Sequence, residues 1–346
     1  MPCSCQRLAA LAAAFCCLAV AARGQTPNAP TPPPLLVSED FESNPASRGW
    51  SVFGNPRLFA WNPPAGGLDV TWDSSSSNSY YQLPLGTVLT RRDDFSADVD
   101  LTLREIAAGV DPEKPGTFQI ALGFLNGDEA RRPGFIRGTA RSSPDLVEFD
   151  FFPDTGFGPT VWPGVFSTNS TMNYNGTSDF NIFDLPTGIP LRIHLGYAAS
   201  NATATVTITT NGVPVGPPTS ARLMPRFSEF LVDTFAIASY SDAGQSPFMP
   251  GSVFARGTID RIELQIPPPP IARVEASLTG GVWEGTFATA LRWAYDVESS
   301  TNLRDWTPAS SPRPGTGAPM TLSVTAGETP GARFYRVIAT PLLSTP

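Results

Sequence analysis

The sequence is poor in the residues that most nucleophilic enzymes and transition-metal sites use. Its 346 residues include four cysteines, one histidine (His194) and one lysine (Lys114). A single histidine excludes His-rich metal sites, and a Ser–His–Asp triad lacks support because no Gly-x-Ser-x-Gly elbow is present. All four cysteines fall within the first 17 residues: Cys3, Cys5, Cys16 and Cys17.

Long apolar runs are also scarce, and the single one lies at the start of the chain. Arg7 gives a basic start, residues 8–20 are apolar, and Ala19-Val20-Ala21 offers a small-residue cleavage site. The run is too short to span a bilayer. We predict a signal peptide over residues 1–24, a proline-rich tether over 25–34, and a secreted or cell-surface protein without membrane insertion. The mature protein would then contain no cysteine and no disulfide.

Basic residues are fewer than acidic residues. Removing Arg7 and Arg23 with the signal peptide leaves 21 basic against 31 acidic residues, a net charge of −10. An acidic balance argues against binding to nucleic acid or to an anionic membrane.

Strand patterns dominate what remains. Apolar and polar residues alternate over residues 95–103 and 191–197, and a Thr-rich run at 203–209 ends in Asn211-Gly212, a hairpin signal. About a dozen strands fit into residues 35–266, which predicts one large jelly roll rather than an immunoglobulin-like sandwich. We expect residues 50–53 and 68–72 to pair. The Thr-rich strand with its Asn-Gly turn also resembles a hairpin of laminin G-like and related concanavalin A-like domains, and this resemblance implies that the first and last strands of the domain are adjacent.

Four consecutive prolines at 267–270 predict a stiff linker, followed by a small all-β accessory domain at 271–343. We expect strands at 273–278, 291–297, 320–324 and 334–338. Residues 295–306, YDVESSTNLRDW, and residues 334–337, FYRV, resemble a C-terminal module of large secreted bacterial proteins. That resemblance implies a bacterial source and assigns no chemistry.

The most informative stretch is residues 145–166, DLVEFDFFPDTGFGPTVWPGVF. In an extended strand Glu148, Asp150 and Phe152 share one face, while residues 147, 149 and 151 share the other. The two carboxylates would lie roughly 6–7 Å apart. Because they repel each other, a cation, an arginine or water must lie between them.

This stretch resembles the metal loop of the legume lectins, which have the concanavalin A-like fold. The resemblance implies carboxylate ligands at Glu148 and Asp150, a carbonyl ligand at Phe152 and a side-chain ligand at Asp154. Pro159 and Gly164 stand where the family has a ligating Asp and His. Without the nitrogen ligand a transition metal is not expected. Because Pro159 and Gly164 remove two ligands, we expect either an arginine that neutralises the pair or a weak calcium (Ca2+) site at Asp150, Phe152 and Asp154.

A second calcium site is predicted where the first and last strands would meet, with the carboxylates of Asp40 and Asp260 as ligands. Two solvated carboxylates are the alternative there. No other cofactor is expected.

Three functions stay open. The first is non-catalytic binding of an extracellular polysaccharide or cell-surface polymer, with Trp162, Glu148 and Asp150 in the ligand site. The second is a glycoside hydrolase or lyase with a non-standard catalytic acid, since Phe152 replaces the last glutamate of a Glu-x-Asp-x-Glu signature. The third is a structural or adhesive surface protein without a small ligand. The sequence favours a non-enzyme and predicts no oligomeric state.

Overall fold

A computed structural model describes residues 34–137, 144–168, 181–244, 251–326 and 332–342. These residues form strands and loops almost throughout, which confirms the predicted all-β class. The predicted signal peptide with its cysteines, and the tether up to residue 33, lie outside the described residues. Within the described ranges, no helix combines the length and apolar character needed to cross a membrane.

Among the described residues, sixteen strands precede the proline linker. They are β1 Leu35–Glu39, β2 Ser51–Phe53, β3 Phe59–Asn62, β4 Gly67–Asp73, β5 Ser79–Thr90, β6 Phe95–Ala108, β7 Ile120–Leu125, β8 Leu146–Phe152, β9 Thr160–Phe166, β10 Asn181–Ile182, β11 Pro190–Ala198, β12 Thr203–Thr210, β13 Val213–Pro214, β14 Thr219–Arg222, β15 Leu231–Ser239 and β16 Val253–Ile266. One helical turn, α1, covers Gly127–Ala130, and short 3-10 helices cover Pro45–Arg48, Pro56–Leu58 and Pro63–Ala65.

These strands build two antiparallel sheets. The back sheet has nine strands in the order β13-β12-β11-β6-β16-β4-β3, with β1 beside β16 and β14 beside β12. The front sheet has seven strands in the order β10-β9-β8-β7-β15-β5-β2. The rings of Phe95 in β6 and Phe124 in β7 pack with centroids 4.8 Å apart, so the core lies between the sheets. The result is the predicted two-layer β-sandwich.

The two ends of the large domain meet as the sequence predicts. Leu35 of β1 lies opposite Ile266 of β16, and the pairing continues to Glu39 opposite Ile262. The Thr-rich strand β12 is followed by Asn211 and Gly212, both with positive φ, which connect it to β13. Left-handed conformations at both turn residues are what a two-residue hairpin requires.

The predicted pairing of residues 50–53 with 68–72 is wrong. Strand β2 joins the front sheet beside β5, whereas β4 belongs to the back sheet and pairs with β3. Gly54, with φ 83°, and the 3-10 helix Pro56–Leu58 redirect the chain between the layers. The intervening strand Phe59–Asn62 is too short to show a clear alternation in sequence.

Seven further strands follow the linker: β17 Glu275–Thr279, β18 Val282–Ala288, β19 Trp293–Ser300, β20 Thr307–Pro308, β21 Arg313–Pro314, β22 Pro319–Thr325 and β23 Phe334–Pro341. They form a three-stranded sheet, β17-β18-β22, and a four-stranded sheet around β19. The four predicted strands are present as β17, β19, β22 and β23, whereas β18 and the two-residue strands β20 and β21 were not predicted. Arg292 Nη2 donates to the carbonyl of Arg48, so this unit contacts the sandwich. The domain bounds themselves stay a prediction.

Candidate functional site

The acidic pair lies on β8, near the middle of the front sheet. Val147 of β8 is opposite Phe124, whose ring packs toward the back sheet, so the odd-numbered side chains of β8 face the core. Glu148 and Asp150 therefore face the opposite side of the front sheet. Their neighbours across β7 are Gly123 and Ala121, which leave room for the two carboxylates.

An arginine lies between these carboxylates. Arg137 Nε is 2.6 Å from Glu148 Oε1, and Arg137 Nη2 is 2.8 Å from Asp150 Oδ2. The guanidinium carbon is 4.4 Å from the centroid of the Phe166 ring. The relative exposures of Arg137, Glu148 and Asp150 are 1%, 2% and 0%. This is the arrangement expected if an arginine neutralises the pair.

Two more side chains complete this buried cluster. The Tyr240 hydroxyl donates to Glu148 Oε2 at 2.8 Å, and the Gln119 amide lies 3.5 Å from Asp150 Oδ1. Burial raises the pKa of Asp150 well above its usual range, and the neighbouring Glu148 adds to the shift against the opposing effect of Arg137. One guanidinium faces two carboxylates, so a proton retained by Asp150 would bring the three charged groups to neutrality.

A covering segment closes the cluster from solvent. Residues 127–137 lie over this face of the front sheet. The Tyr80 hydroxyl donates to the Ala130 carbonyl at 3.2 Å, and the Asn78 amide donates to the Phe135 carbonyl at 2.8 Å. The Tyr80 ring also packs edge-on against Tyr240. The geometry therefore supports a structural role for the acidic pair, and ligand binding by Glu148 and Asp150 stays a prediction.

The residues present do not fit the lectin-like cation, because the Arg137 guanidinium already occupies the position between the carboxylates. A Cβ atom at Gly164, where the family has its His, would lie 2.4 Å from Asp150 Oδ2 and 3.4 Å from Arg137 Nη2. Asp154 is exposed, and its Oδ1 accepts from the Gly156 amide at 2.8 Å. In the described part of the chain, no group of three or more His, Cys, Asp or Glu could hold a metal ion.

The other residues predicted as calcium ligands lie in separate parts of the structure. Phe152 is the last residue of β8 and lies opposite Thr160 of β9. The exposed Asp40 accepts from the Glu42 amide at 3.1 Å and lies 4.0 Å from Arg48 Nη2. The calcium predictions at Asp150, Phe152 and Asp154, and at Asp40 and Asp260, stay predictions for measurement in solution.

Asp260, the partner proposed for Asp40, is the residue of β16 where the register with β6 shifts, between Ile259 and Arg261. Partial burial raises the pKa of Asp260, and the nearby carboxylates Asp100 and Asp69 add to the shift. The carboxylates that raise the pKa of Asp260 therefore belong to the back sheet.

Trp162, the predicted sugar platform, is a strand residue and not a loop residue. It lies in β9 opposite Asp150 and is half-buried. Its ring meets Phe166 nearly edge-on, with centroids 6.5 Å apart and an interplanar angle of 72°. Trp162 thus belongs to the same covered face as the acidic cluster.

Two open concave surfaces lie elsewhere, at one end of the sandwich. The first, which we call the polar cleft, has a volume of about 510 Å³ on the outward face of the back sheet. Its polar lining comes from strands β6, β11, β12 and β16, the β11–β12 turn and the residue before β6: Asp94, Ser96, His194, Ser200, Asn201, Thr203, Thr205 and Gln265. His194 faces outward as the sequence predicts, with 41% of its side chain exposed.

His194 is held in place rather than free to rotate. Its Nδ1 is 3.1 Å from Asp98 Oδ1, and Asp98 also lies 3.4 Å from Arg192 Nε. A Cβ atom at Gly196 would lie 2.9 Å from His194 Nε2, so the imidazole extends over Gly196. The fixed ring gives the polar cleft a flat wall beside its hydroxyl and amide groups. In sequence the only signal of this site was the outward register of His194, Thr203 and Thr205.

The second surface, which we call the arginine cleft, has a volume of about 550 Å³ and adjoins the first. Both clefts include Ser200 in the β11–β12 turn, and the polar lining of the second comprises Arg91, Arg92, Ser200, Ser228 and Glu229. Nothing in the sequence brings Arg91 next to Ser228. The sheet topology does so, by placing the ends of β5, β11 and β15 together.

Comparison with known proteins finds structural neighbours among the legume lectins. No protein-family model and no curated protein matches the sequence. Peanut lectin bound to a nine-residue peptide has 15% identity and a TM-score of 0.40, covering 67% of this chain and 97% of the lectin. Lectin UEA-II complexed with galactose has 13% identity and a TM-score of 0.42, covering 67% of this chain and 98% of the lectin.

A legume lectin-like domain from Entamoeba histolytica has 11% identity and a TM-score of 0.37, covering 66% of this chain and 95% of that domain. Because these TM-scores lie below 0.5, the β-sandwich assignment rests on the strand pairing of the chain itself.

Proposed function

We propose that this chain is a secreted, non-catalytic glycan-binding protein, and that its ligand site is the polar cleft. The observation that carries the proposal is the chemistry of that cleft. Hydroxyl, amide and imidazole groups line it, and these both donate to and accept from sugar hydroxyls. Its volume falls within the range of roughly 300–1,000 Å³ that ligand sites occupy.

The buried acidic pair supports a binder over a glycoside hydrolase. A retaining hydrolase needs two carboxyl groups about 5–5.5 Å apart on either side of an accessible glycosidic bond. Here one guanidinium bridges Glu148 and Asp150, and the segment ending at Arg137 covers them. Asp94 lines the polar cleft, and its Oδ1 accepts a hydrogen bond from the Ala199 amide at 2.7 Å.

A glycan array probed with the purified protein tests the proposal. We expect binding to a subset of glycans and no release of reducing sugar from the same polymers. Thr205→Ala should weaken binding about three- to tenfold, the effect of one lost hydrogen bond. Thr209→Ala is the matched control, because it changes the same residue type on the same face of β12 outside the cleft lining.

Three results would count against the proposal. Equal affinities of the Thr205→Ala and Thr209→Ala variants would place the site elsewhere. Release of reducing ends would favour the hydrolase or lyase. Absence of binding to any glycan would favour the structural or adhesive alternative.

A further inference from the structure

The end of the sandwich that carries both clefts also concentrates unpaired positive charge. Arg92, Arg222 and Arg226 are exposed and Arg91 is half-buried. Among the described residues, none of the four forms a salt bridge, whereas Arg104, Arg192 and most other sandwich arginines do. The chain as a whole has a net charge of −8, so this cluster opposes the overall charge.

Backbone contacts place the segments that carry these arginines at one end of the sandwich, where Arg92 follows Arg91 in the chain. Arg91 Nη1 donates to the carbonyls of Phe227 and Ser228, so Arg91 lies beside the loop that contains Arg226. The Leu223 amide donates to the Ala202 carbonyl at 2.8 Å, which joins the end of β14 to the β11–β12 turn. Arg222 is opposite Thr203 in the β12–β14 pairing. Paired antiparallel residues share a face, so Arg222 is on the face that carries the polar cleft.

The carboxylates near this cluster are held by backbone and hydroxyl donors. Asp93 Oδ2 accepts from the Thr90 amide and from its hydroxyl, both at 2.8 Å. Glu229 Oε1 accepts from the Arg91 amide at 2.8 Å, and Asp94 binds the Ala199 amide. These acids hold the turns in place, and no salt bridge joins them to a described guanidinium. The four arginines also outnumber the three acids.

We propose that the glycan recognised here is an anionic polysaccharide that lies across both clefts. Its carboxylate or sulfate groups would contact Arg91, Arg92 and Arg226, and its hydroxyls would contact the polar cleft through the shared turn at Ser200. Exposed guanidinium groups bind such oxyanions with paired N–H donors. This inference rests on the proposed function and specifies the class of its ligand.

The test compares three probes: polygalacturonate for carboxylates, dextran sulfate for sulfates, and unmodified dextran as the neutral polymer. We expect the full chain to bind at least one anionic polymer more tightly than dextran, with affinity falling as salt rises. The double variant Arg92→Gln/Arg226→Gln should bind about tenfold more weakly, from two exposed charge contacts of modest strength. Binding of only one anionic probe identifies its oxyanion as the recognised group.

A matched control removes the same charge elsewhere. Arg57→Gln/Arg304→Gln changes two exposed arginines that also form no salt bridge among the described residues, one in a 3-10 helix and one beyond β19. This control variant should change the affinity for the anionic polymers by less than about twofold, if the loss of binding comes from the arginines near the clefts and not from net charge. Equal losses in the two double variants, or no preference for either anionic polymer over dextran, would overturn the inference.

The outcomes separate this inference from the proposed function. Binding of neutral glycans that is sensitive to Thr205→Ala, with no binding of anionic polymers, would refute the inference alone. Binding of anionic polymers that depends on Arg92 and Arg226 but not on Thr205 would retain the arginine cleft and refute the polar cleft as the ligand site.

Discussion

Replacing Arg137 by Met would remove a guanidinium that contacts both Glu148 and Asp150 while keeping a long apolar side chain against Phe166. Two charge-assisted hydrogen bonds, of 2.6 and 2.8 Å, would be lost. The carboxylates would stay buried, since their exposures are 2% and 0%. Among the described residues they would keep the Tyr240 hydroxyl and the Gln119 amide as partners, and no cation.

The expected loss of unfolding free energy is large, because a buried charge loses its partner. Removing one member of a buried ion pair costs about 3–5 kcal/mol. For a domain of this size 1 kcal/mol corresponds to roughly 2–4 °C in Tm, so Arg137→Met should lower Tm by about 6–20 °C. Arg104→Met is the control, because Arg104 pairs with Asp69 at 2.7 Å but is 53% exposed. Its cost should be at most about 1 kcal/mol.

Urea unfolding followed by tryptophan fluorescence measures both variants. The triple variant Arg137→Met/Glu148→Gln/Asp150→Asn should recover at least half of the loss, because replacing a whole buried ion cluster costs far less than breaking it. If Arg137→Met unfolds within about 1 kcal/mol of the wild type, or matches Arg104→Met, the cluster does not hold the covering segment on the front sheet.

Three further predictions follow from the same cluster. Burial of Asp150 raises its pKa above the unfolded value of about 4. Between these two pKa values the folded state holds a proton that the unfolded state has released. The unfolding free energy should therefore fall as pH rises from about 4 through that raised pKa, and it should fall less in the Asp150→Asn variant. Parallel pH profiles of unfolding free energy for the wild type and Asp150→Asn would refute this. Gly164→Ala should destabilise by about 1–3 kcal/mol in urea unfolding, because its Cβ would meet Asp150; a neutral effect would contradict that geometry. Calcium and chelator should leave Tm unchanged, whereas a calcium-dependent rise lost in Asp150→Ala would restore the lectin-like site.

The sandwich could be predicted from sequence where alternation was long. Residues 95–103 predicted a half-buried strand, and β6 runs from Phe95 to Ala108 with buried and partly buried residues alternating through Leu103. Short or irregular strands contain too few alternating apolar and polar residues to be predicted. Strand β3 has four residues, and β5 extends from Ser79 to Thr90 through Pro84 and Gly86, which read as interruptions.

The candidate site was harder to predict, because its partners are distant in sequence. The carboxylates of Glu148 and Asp150 were visible, and their need for a cation or an arginine followed from their spacing. The identity of Arg137 was not visible, since it lies in a loop without periodicity and reaches β8 only through the fold. The polar and arginine clefts likewise combine residues 91–96, 194–205 and 228–229, which meet through sheet order alone.

Hydrogen–deuterium exchange with and without a saturating glycan identified on the array tests the central claim most directly. The ligand site proposed here predicts slower exchange in residues 91–96 and 194–205, with no change in residues 146–166. Protection confined to residues 146–166 would contradict it, because the ligand would then bind at the lectin-like loop and not at the end of the sandwich.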